Sequence, residues 1–275
     1  MHNLMKAIVV TLAVVFGTLF LIVLLQQLSS KDDVENIISL EGLHIAPLDS
    51  SSKEVPKFSA YSDITEKKRA FFAYLQPEIH RQNAIVLKER EMVFALHKMF
   101  MQQQQFNKGQ QKVFDKLAKK YQFNGDKPLT MEQTFASLIT RVDTIPEALI
   151  LVQAANESGW GTSRFAQEGY NFFGLWCFKK GCGFVPKQRN DEAVHEVAKF
   201  KNLSHAVMTY IRNLNRHYAY KDLRLIRQNL RQAGKPITAR ALAAGLSSYS
   251  ERGQEYIDEL LSMLRVNKKL MDTAG

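Results

Sequence analysis

Apolar and polar residues alternate along this chain in regimes of very different period. Residues 7–25 contain no charged side chain, and after Lys6 the next charge is Lys31. A helix over this stretch reaches roughly 28 Å, close to the hydrocarbon thickness of a bilayer, whereas the apolar core of a secretory signal runs to about 7–15 residues. The pattern predicts a spanning segment. The Leu-Gln-Gln-Leu-Ser-Ser stretch over 25–30 has no A-x-A cleavage site, which favours an uncleaved anchor over a cleaved signal. Lys6 and the free amino terminus favour a cytoplasmic N-terminus, with Lys31 opposing, so the remainder of the chain is expected on the far side of the membrane.

Residues 31–62 are rich in Ser, Asp and Lys, with Pro47 and Pro56, and hold neither a period of 2 nor of 3.6, which reads as a linker. From 63 to 125 the pattern becomes helical, with Ile85, Met92, Leu96 and Met99 on one side of a long segment expected to break upstream near Pro77. This stretch reads as a helical extension preceding a domain over 126–275. After Gly125 and Pro128 the chain resets, and 130–140 and 146–157 read as two helices, with Pro146 suited to a first turn and Gly159 to the exit. Glu157 is thereby placed at a helix C-terminus. Short apolar runs, glycines and Pro186 between 172 and 200 predict a small hairpin lobe. Helical spacing then returns: Val207, Ile211, Leu214 and Tyr218 share a face, as do Leu223, Ile226 and Leu230, and Tyr256, Leu260 and Leu264 close the domain.

Composition changes the picture in two places. A formal net charge of +10 on 275 residues, 45% of them hydrophobic, predicts a folded protein attracted to an anionic partner. The two cysteines, Cys177 and Cys182, enclose a glycine-containing four-residue loop and leave no odd thiol, so export makes them a disulfide candidate, with two reduced structural cysteines as the alternative.

The densest run of unusual residues is Gln153-Ala154-Ala155-Asn156-Glu157-Ser158-Gly159-Trp160-Gly161-Thr162-Ser163, followed by Asn171-Phe172-Phe173-Gly174-Leu175. The first resembles the Q-A-x-x-E-S-G-W-G-x-S signature of the bacterial glucosaminidase family of peptidoglycan hydrolases, and the second its N-x-F-G-[IL] block; the similarity spans about 144–264. The resemblance implies a mainly α (α+β), lysozyme-like helical domain with a β-hairpin lobe over a groove. It also implies cleavage of β-1,4 bonds in peptidoglycan glycan strands; with the N-terminal segment as anchor, the catalytic domain is expected in the periplasm on an inner-membrane anchor, or free in the periplasm if the segment is cleaved. Such an enzyme needs an acid that keeps its proton near neutral pH, hence a carboxyl that is partly desolvated. Glu157 is that candidate, with Trp160 and Phe172 expected to wall it.

The second catalytic group is left among Glu192, Glu196 and Asp191, Glu192 being the best match to the carboxylate that precedes the family's A-K-F segment, here Ala198-Lys199-Phe200. Tyr249 stands where the family carries a functional tyrosine in a Y-A-T-D-P-x-Y segment, although here the interior is recast and one residue longer. Trp160, Asn171, Phe172, Trp176 and Tyr210 are candidates to bind sugar through ring faces and amide or hydroxyl groups. Two readings compete: a lytic transglycosylase using the same Glu, whose relatives tend to carry G-L-M-Q where N-x-F-G-L stands here, and a wall-binding module whose chemistry is lost, against which the retained Glu157 and Tyr249 count.

No cofactor or metal is implied. His195-Glu196 begins like a zinc-protease helix but has no second His at i+4. Arg212, Arg216, Lys221, Arg224, Arg227 and Arg231 read as the exposed faces of two amphipathic helices, without a nucleic-acid-binding motif among them. Peptidoglycan and the membrane are the expected partners.

Overall fold

A computed structural model describes residues 38–39, 45–49, 54–122, 127–185 and 195–272. The uncharged stretch 7–25, Asp191 and Glu192 lie outside the described residues; among those described, no helix is long and apolar enough to cross a membrane.

Helix α1 (Ile64–Met101) starts where the Asp63 carboxylate accepts from the Glu66 N–H at 2.7 Å, satisfying one of the donors that every helix start leaves open. It runs straight through Pro77 instead of breaking there. Proline removes one helix hydrogen bond, but Ala73 and Pro77 lie on the exposed face, where water can take the freed Ala73 carbonyl. Flanking Phe71, Phe72, Leu75 and Ile79 are fully buried and hold both halves to the core. Capping boxes start the next two helices: Asn107 with Gln110 for α2 (Lys108–Tyr121) and Thr130 with Gln133 for α3 (Met131–Arg141).

Helix α4 (Glu147–Ser158) is buried from Leu149 to Ala155 without a break, as a helix enclosed on all sides must be. Helices α1, α8 (Ala239–Ala243) and α9 (Gln254–Asp272) pack around it. Short α5 (Arg164–Gly169) follows, then three strands, β1 (Trp176–Cys177), β2 (Gly183–Phe184) and β3 (Glu196–Ala198), antiparallel in the order β1-β3-β2. Cys177 pairs with Glu196 and Phe184 with Val197, and the Cys177–Cys182 disulfide ties β1 to the approach to β2. Helices α6 (Leu203–Arg216) and α7 (Lys221–Gln232) complete a mainly α architecture with one small sheet, as a lysozyme-like domain requires.

Residues from α1 and from the helices after 130 belong to one contiguous apolar cluster, so α1 is a wall of the same core. The stretch read as a linker also takes part: Phe58 is fully buried under Gly161, and the carbonyls of Ile45 and Ala46 accept from Arg81. Tyr218 does not continue the α6 face. That helix stops at Arg216, and Tyr218 begins a 3-10 turn in which Tyr220 is the buried ring.

The largest departure from the periodicity concerns the arginines. Arg224 and Arg227 are buried, at 4% and 1% exposure, instead of lying on solvated faces. Helix α3 ends with unpaired carbonyls and partial negative charge, and Arg227 answers both. It donates to the carbonyls of Thr140, Arg141, Asp143 and Thr144 and to Asn215 Oδ1. Buried Asp143 balances the charge, gripped by Arg231 through two hydrogen bonds of 3.0 and 2.8 Å and approached by Arg90 at 3.5 Å. Burial raises the Asp143 carboxyl, but the Arg231 hydrogen bond and the charges of Arg227, Arg90 and Arg231 outweigh it and hold it below its ordinary range. A depressed carboxyl contributes stability above its unfolded pKa of about 4, which is lost as pH falls through the folded value. Burial pulls Arg227 down to about 10, which leaves it charged at neutral pH.

Removing that guanidinium takes one balancing charge from beside Asp143 and leaves the carbonyls of Thr140 and Thr144 without the donor that Arg227 supplies. Arg227→Met is expected to lower stability by about 3–5 kcal/mol and the thermal midpoint by on the order of 10 °C, whereas Lys221→Met on the exposed face of α7 changes stability by less than about 0.5 kcal/mol. Thermal unfolding of both variants beside wild type checks this; equal midpoints would remove the structural role given to Arg227.

Candidate active site

Glu157 ends α4, and the residues after it make the turn that leaves its carboxylate at the edge of the core. Gly159, Trp160 and Gly161 all adopt positive φ, at 56°, 58° and 74°. Gly159 supplies the left-handed residue that stops the helix, and the Trp160 N–H reaches back to the Ala155 carbonyl at 2.8 Å. Buried Ser158 accepts from the Gly161 N–H and donates to the Ala154 carbonyl, stitching the turn closed. A side chain at Gly161 would lie 2.4 Å from Phe58, so both conformation and space demand glycine there. Ser163 then caps α5. Each fixed position of E-S-G-W-G-x-S has a local physical duty.

Asn171 organises the second block from the inside. Its amide donates to the carbonyls of Leu175 and Ala198 and accepts from the Leu175 N–H, joining the loop to β3. These bonds and 1% exposure make it a brace for the loop, in place of the sugar contact expected of it. The loop carries Gly174, at φ 62°, over Glu157: a Cβ there would lie 3.3 Å from Glu157 Oε2. Tyr249 holds the loop from the far side, its hydroxyl donating to the Phe173 carbonyl at 2.7 Å.

Three buried polar groups then lead to the carboxylate. The Tyr210 hydroxyl donates to Gln153 Oε1, and Gln153 Nε2 donates to the Tyr256 hydroxyl oxygen at 2.9 Å. Tyr256 in turn hydrogen-bonds Glu157. The direction follows from the amide: because Gln153 gives Tyr256 a proton, Tyr256 directs its own onto the carboxylate. The rings pack as tightly as the hydroxyls connect, with Tyr249 stacked on Tyr256 at 5.7 Å and Phe173 on Tyr210 at 4.1 Å. Burial pushes the Tyr210, Tyr249 and Tyr256 phenols well above their ordinary value, and Tyr220 to about 12, with the negative field of Glu157 adding to each. All four stay protonated.

Glu157 itself is half-buried, and that burial raises its carboxyl pKa. The Tyr256 hydrogen bond, the Arg252 charge and the Asn156 side chain pull it down by less, while Glu259 pushes it up. Arg252 is largely spent on Glu259, which its guanidinium contacts at 2.5 Å. The outcome is the one a proton donor needs.

Of the other expected site residues, Tyr249 joins Glu157 through the ring stack. Phe172 and Tyr210 are fully buried and offer no face to a glycan, so the expected sugar contact gives way to packing and, for Tyr210, to the hydrogen-bond relay. Phe172 and Trp160 meet the aromatic cluster of α1 built on Phe71, Phe72 and Tyr74, whereas Tyr256, Arg252, Glu259 and Asn156 are the groups that act on Glu157. Trp176 stands apart on β1, 57% exposed, its ring stacked on His195 at 4.3 Å. Glu192 lies outside the described residues. Its reserve, Glu196, is buried, and its two oxygens accept from the N–H groups of Gly181 and Gly183; it fastens the disulfide loop. Glu196 also falls within 4.8 Å of both sulfurs, but with those bonded to each other no thiolate remains to hold a metal.

Gln153 and Tyr256 are the functional residues that the sequence reading left without a role. A signal existed for Gln153: a lone amide in the midst of Leu149-Ile150-Leu151-Val152 and Ala154-Ala155 must find partners when its helix is buried.

Known proteins carry the same arrangement of sequence. Residues 132–269 match the Glucosaminidase family, described as mannosyl-glycoprotein endo-beta-N-acetylglucosaminidase. The chain is also 32% identical over 222 residues to Protein bax of Escherichia coli (strain K12), covering 80% of this chain and 77% of that protein. No solved structure matches. The family-matched segment contains the Glu157 turn, the Gly174 loop and the tyrosines that join them. On that match and on the extent of its similarity to Protein bax, the chain belongs to the glucosaminidase family.

Proposed function

We propose that this chain is an endo-β-N-acetylglucosaminidase that hydrolyses β-1,4 glycosidic bonds in peptidoglycan glycan strands, with Glu157 as general acid. The observation that carries the reading is the half-buried Glu157 carboxyl at the mouth of the Gly174 loop, its pKa raised by burial and its nearest cation engaged by Glu259. Burial favours the protonated carboxyl, and the Tyr256 hydrogen bond orients the group. The carboxyl proton passes to the glycosidic oxygen as its bond to the anomeric carbon breaks. Water then adds to the anomeric carbon and gives up a proton to a base, for which Glu192 is the candidate.

Tyr249 contributes by position: its bond to the Phe173 carbonyl holds the loop that brings Gly174 against Glu157. The exposed indole of Trp176 offers a sugar ring a flat apolar face. We further propose that residues 7–25 anchor the enzyme in the inner membrane with the catalytic domain in the periplasm. The uncharged length of that stretch supports this, as does a disulfide suited to an oxidising compartment.

Purified peptidoglycan digested by the full-length protein should release fragments ending in reducing N-acetylglucosamine, identified by mass, with Glu157→Gln slower by about 10²–10⁴-fold. Anhydro-sugar ends would instead identify a transglycosylase, and intact glycan with wild type would leave a wall-binding module. The rate should fall as pH rises through the Glu157 pKa. Because the Arg252 charge lowers that pKa, Arg252→Gln should move the descending limb of kcat to higher pH; a limb displaced toward acid would contradict the assignment of Glu157 as the acid.

A further inference from the structure

One turn away from Glu157, α1, α4 and α9 enclose an open cavity of about 410 Å³. Asn156 and Glu259, both of which act on the Glu157 carboxyl, belong to its wall, so it adjoins the catalytic centre. Lys68 of α1 reaches across it. The ammonium lies 4.8 Å above the Trp160 ring and donates to Asn267 Oδ1 on α9 at 3.0 Å. Asn267 is itself fixed, its amide donating to the Met263 carbonyl. Ser262 adds a hydroxyl to the wall.

The charges of this cavity are unequal. Among the described residues that line it the acid is Glu259, engaged by Arg252 in a 2.5 Å contact. The cation among them is Lys68, whose polar contacts here are a neutral amide and an indole face. An ammonium half-sheltered among amides and an aromatic ring, facing a cavity, is suited to receive an anionic oxygen, and a charge-assisted bond there is stronger than one in open water. Lys68 also lies outside the segment 132–269 that matches the family, whereas the remaining lining residues lie within it.

From this geometry we propose that the cavity is a subsite for a carboxylate substituent of the glycan strand, recognised by Lys68, with Asn156, Ser262 and Trp160 receiving the atoms beside it. This rests on the glycosidase reading given above and goes beyond it: helix α1, by contributing Lys68, makes the enzyme prefer acid-bearing strands over neutral N-acetylglucosamine polymers. Such a carboxylate is that of the lactyl ether on a sugar freed of its peptide, whereas on a peptide-bearing sugar that group is an amide and the stem's own acids carry the charge.

The test compares full-length wild type, Lys68→Met and Lys68→Arg on three substrates: neutral N-acetylglucosamine oligomers, glycan strands freed of peptides, and peptide-bearing strands. The quantity read is kcat/KM on each acid-bearing substrate divided by that on the neutral oligomer, a ratio insensitive to how much of a variant folds. It should fall about tenfold in Lys68→Met, as loss of one charge-assisted contact implies, and recover in Lys68→Arg. A fall on peptide-free strands assigns the lactyl carboxylate; a fall confined to peptide-bearing strands assigns the stem. Unchanged ratios on both overturn the proposal while leaving the glycosidase reading intact. If wild type cleaves nothing, that reading fails separately, and equilibrium binding of the same strands decides the subsite: affinity lost in Lys68→Met upholds it, and equal affinity overturns it.

Discussion

A helix enclosed by its own protein has nowhere to leave a polar group unpaired, and the polar groups α4 carries include Gln153 in its middle and Glu157 at its end. An unpaired buried amide costs roughly 1–3 kcal/mol, and an unpaired buried charge considerably more. The fold meets this with tyrosines from two later helices: Tyr210 of α6 supplies the donor that Gln153 Oε1 needs, and Tyr256 of α9 accepts from the Gln153 amide and hydrogen-bonds Glu157. Satisfying the helix and orienting the acid are therefore one arrangement. The same burial that compels the pairing also raises the carboxyl pKa of Glu157, as the role proposed for it requires.

That arrangement is useful only if the carboxylate stays reachable, and two backbone features make it so. The run of positive φ from Gly159 to Gly161 turns the chain sharply away after Glu157, and Gly174 lets the next loop come close without a side chain striking the carboxylate. Trp160 adopts a conformation that costs a non-glycine residue on the order of 1 kcal/mol. Its ring packs edge-on against Phe71 and Phe72, which holds it there. Helix α1 thus supports the turn from behind, and with Phe58 filling the slot over Gly161, residues well upstream of the motifs are part of what shapes the site.

At the opposite end of α4, the Asp143 cluster decides where that helix begins. Three arginines from α1 and α7 converge on the short link between α3 and α4, where carbonyls would otherwise be left without donors. Charge buried in this way confers little stability by itself, since desolvation offsets attraction. It does make any other placement of the link expensive, because no other position offers as many acceptors at once. The register of α4, and so the position of Glu157, is pinned from behind.

Much of this was legible along the chain, and the division is instructive. Local chemistry determined what it could reach: the uncharged length of 7–25, helices over most of the spans where periodicity indicated them, the glycine-rich exit after Glu157, and two cysteines near enough to join. The motif residues identified the family and singled out Glu157 as the candidate acid. Tertiary packing alone decided which of those residues face a substrate. Phe172, Tyr210 and Asn171 stand in the motif neighbourhood yet are buried, Glu196 braces a loop, and Arg224 and Arg227 leave the expected solvated face for backbone carbonyls, those of Arg227 contributed by a segment 83–87 residues away. Pro77 stays within a helix because neighbours distant in sequence hold both of its halves. The physical reason is range. Backbone propensity, turns and caps act over a few residues and can be read in order, whereas burial and the choice of hydrogen-bond partner depend on segments that meet only once the chain has folded.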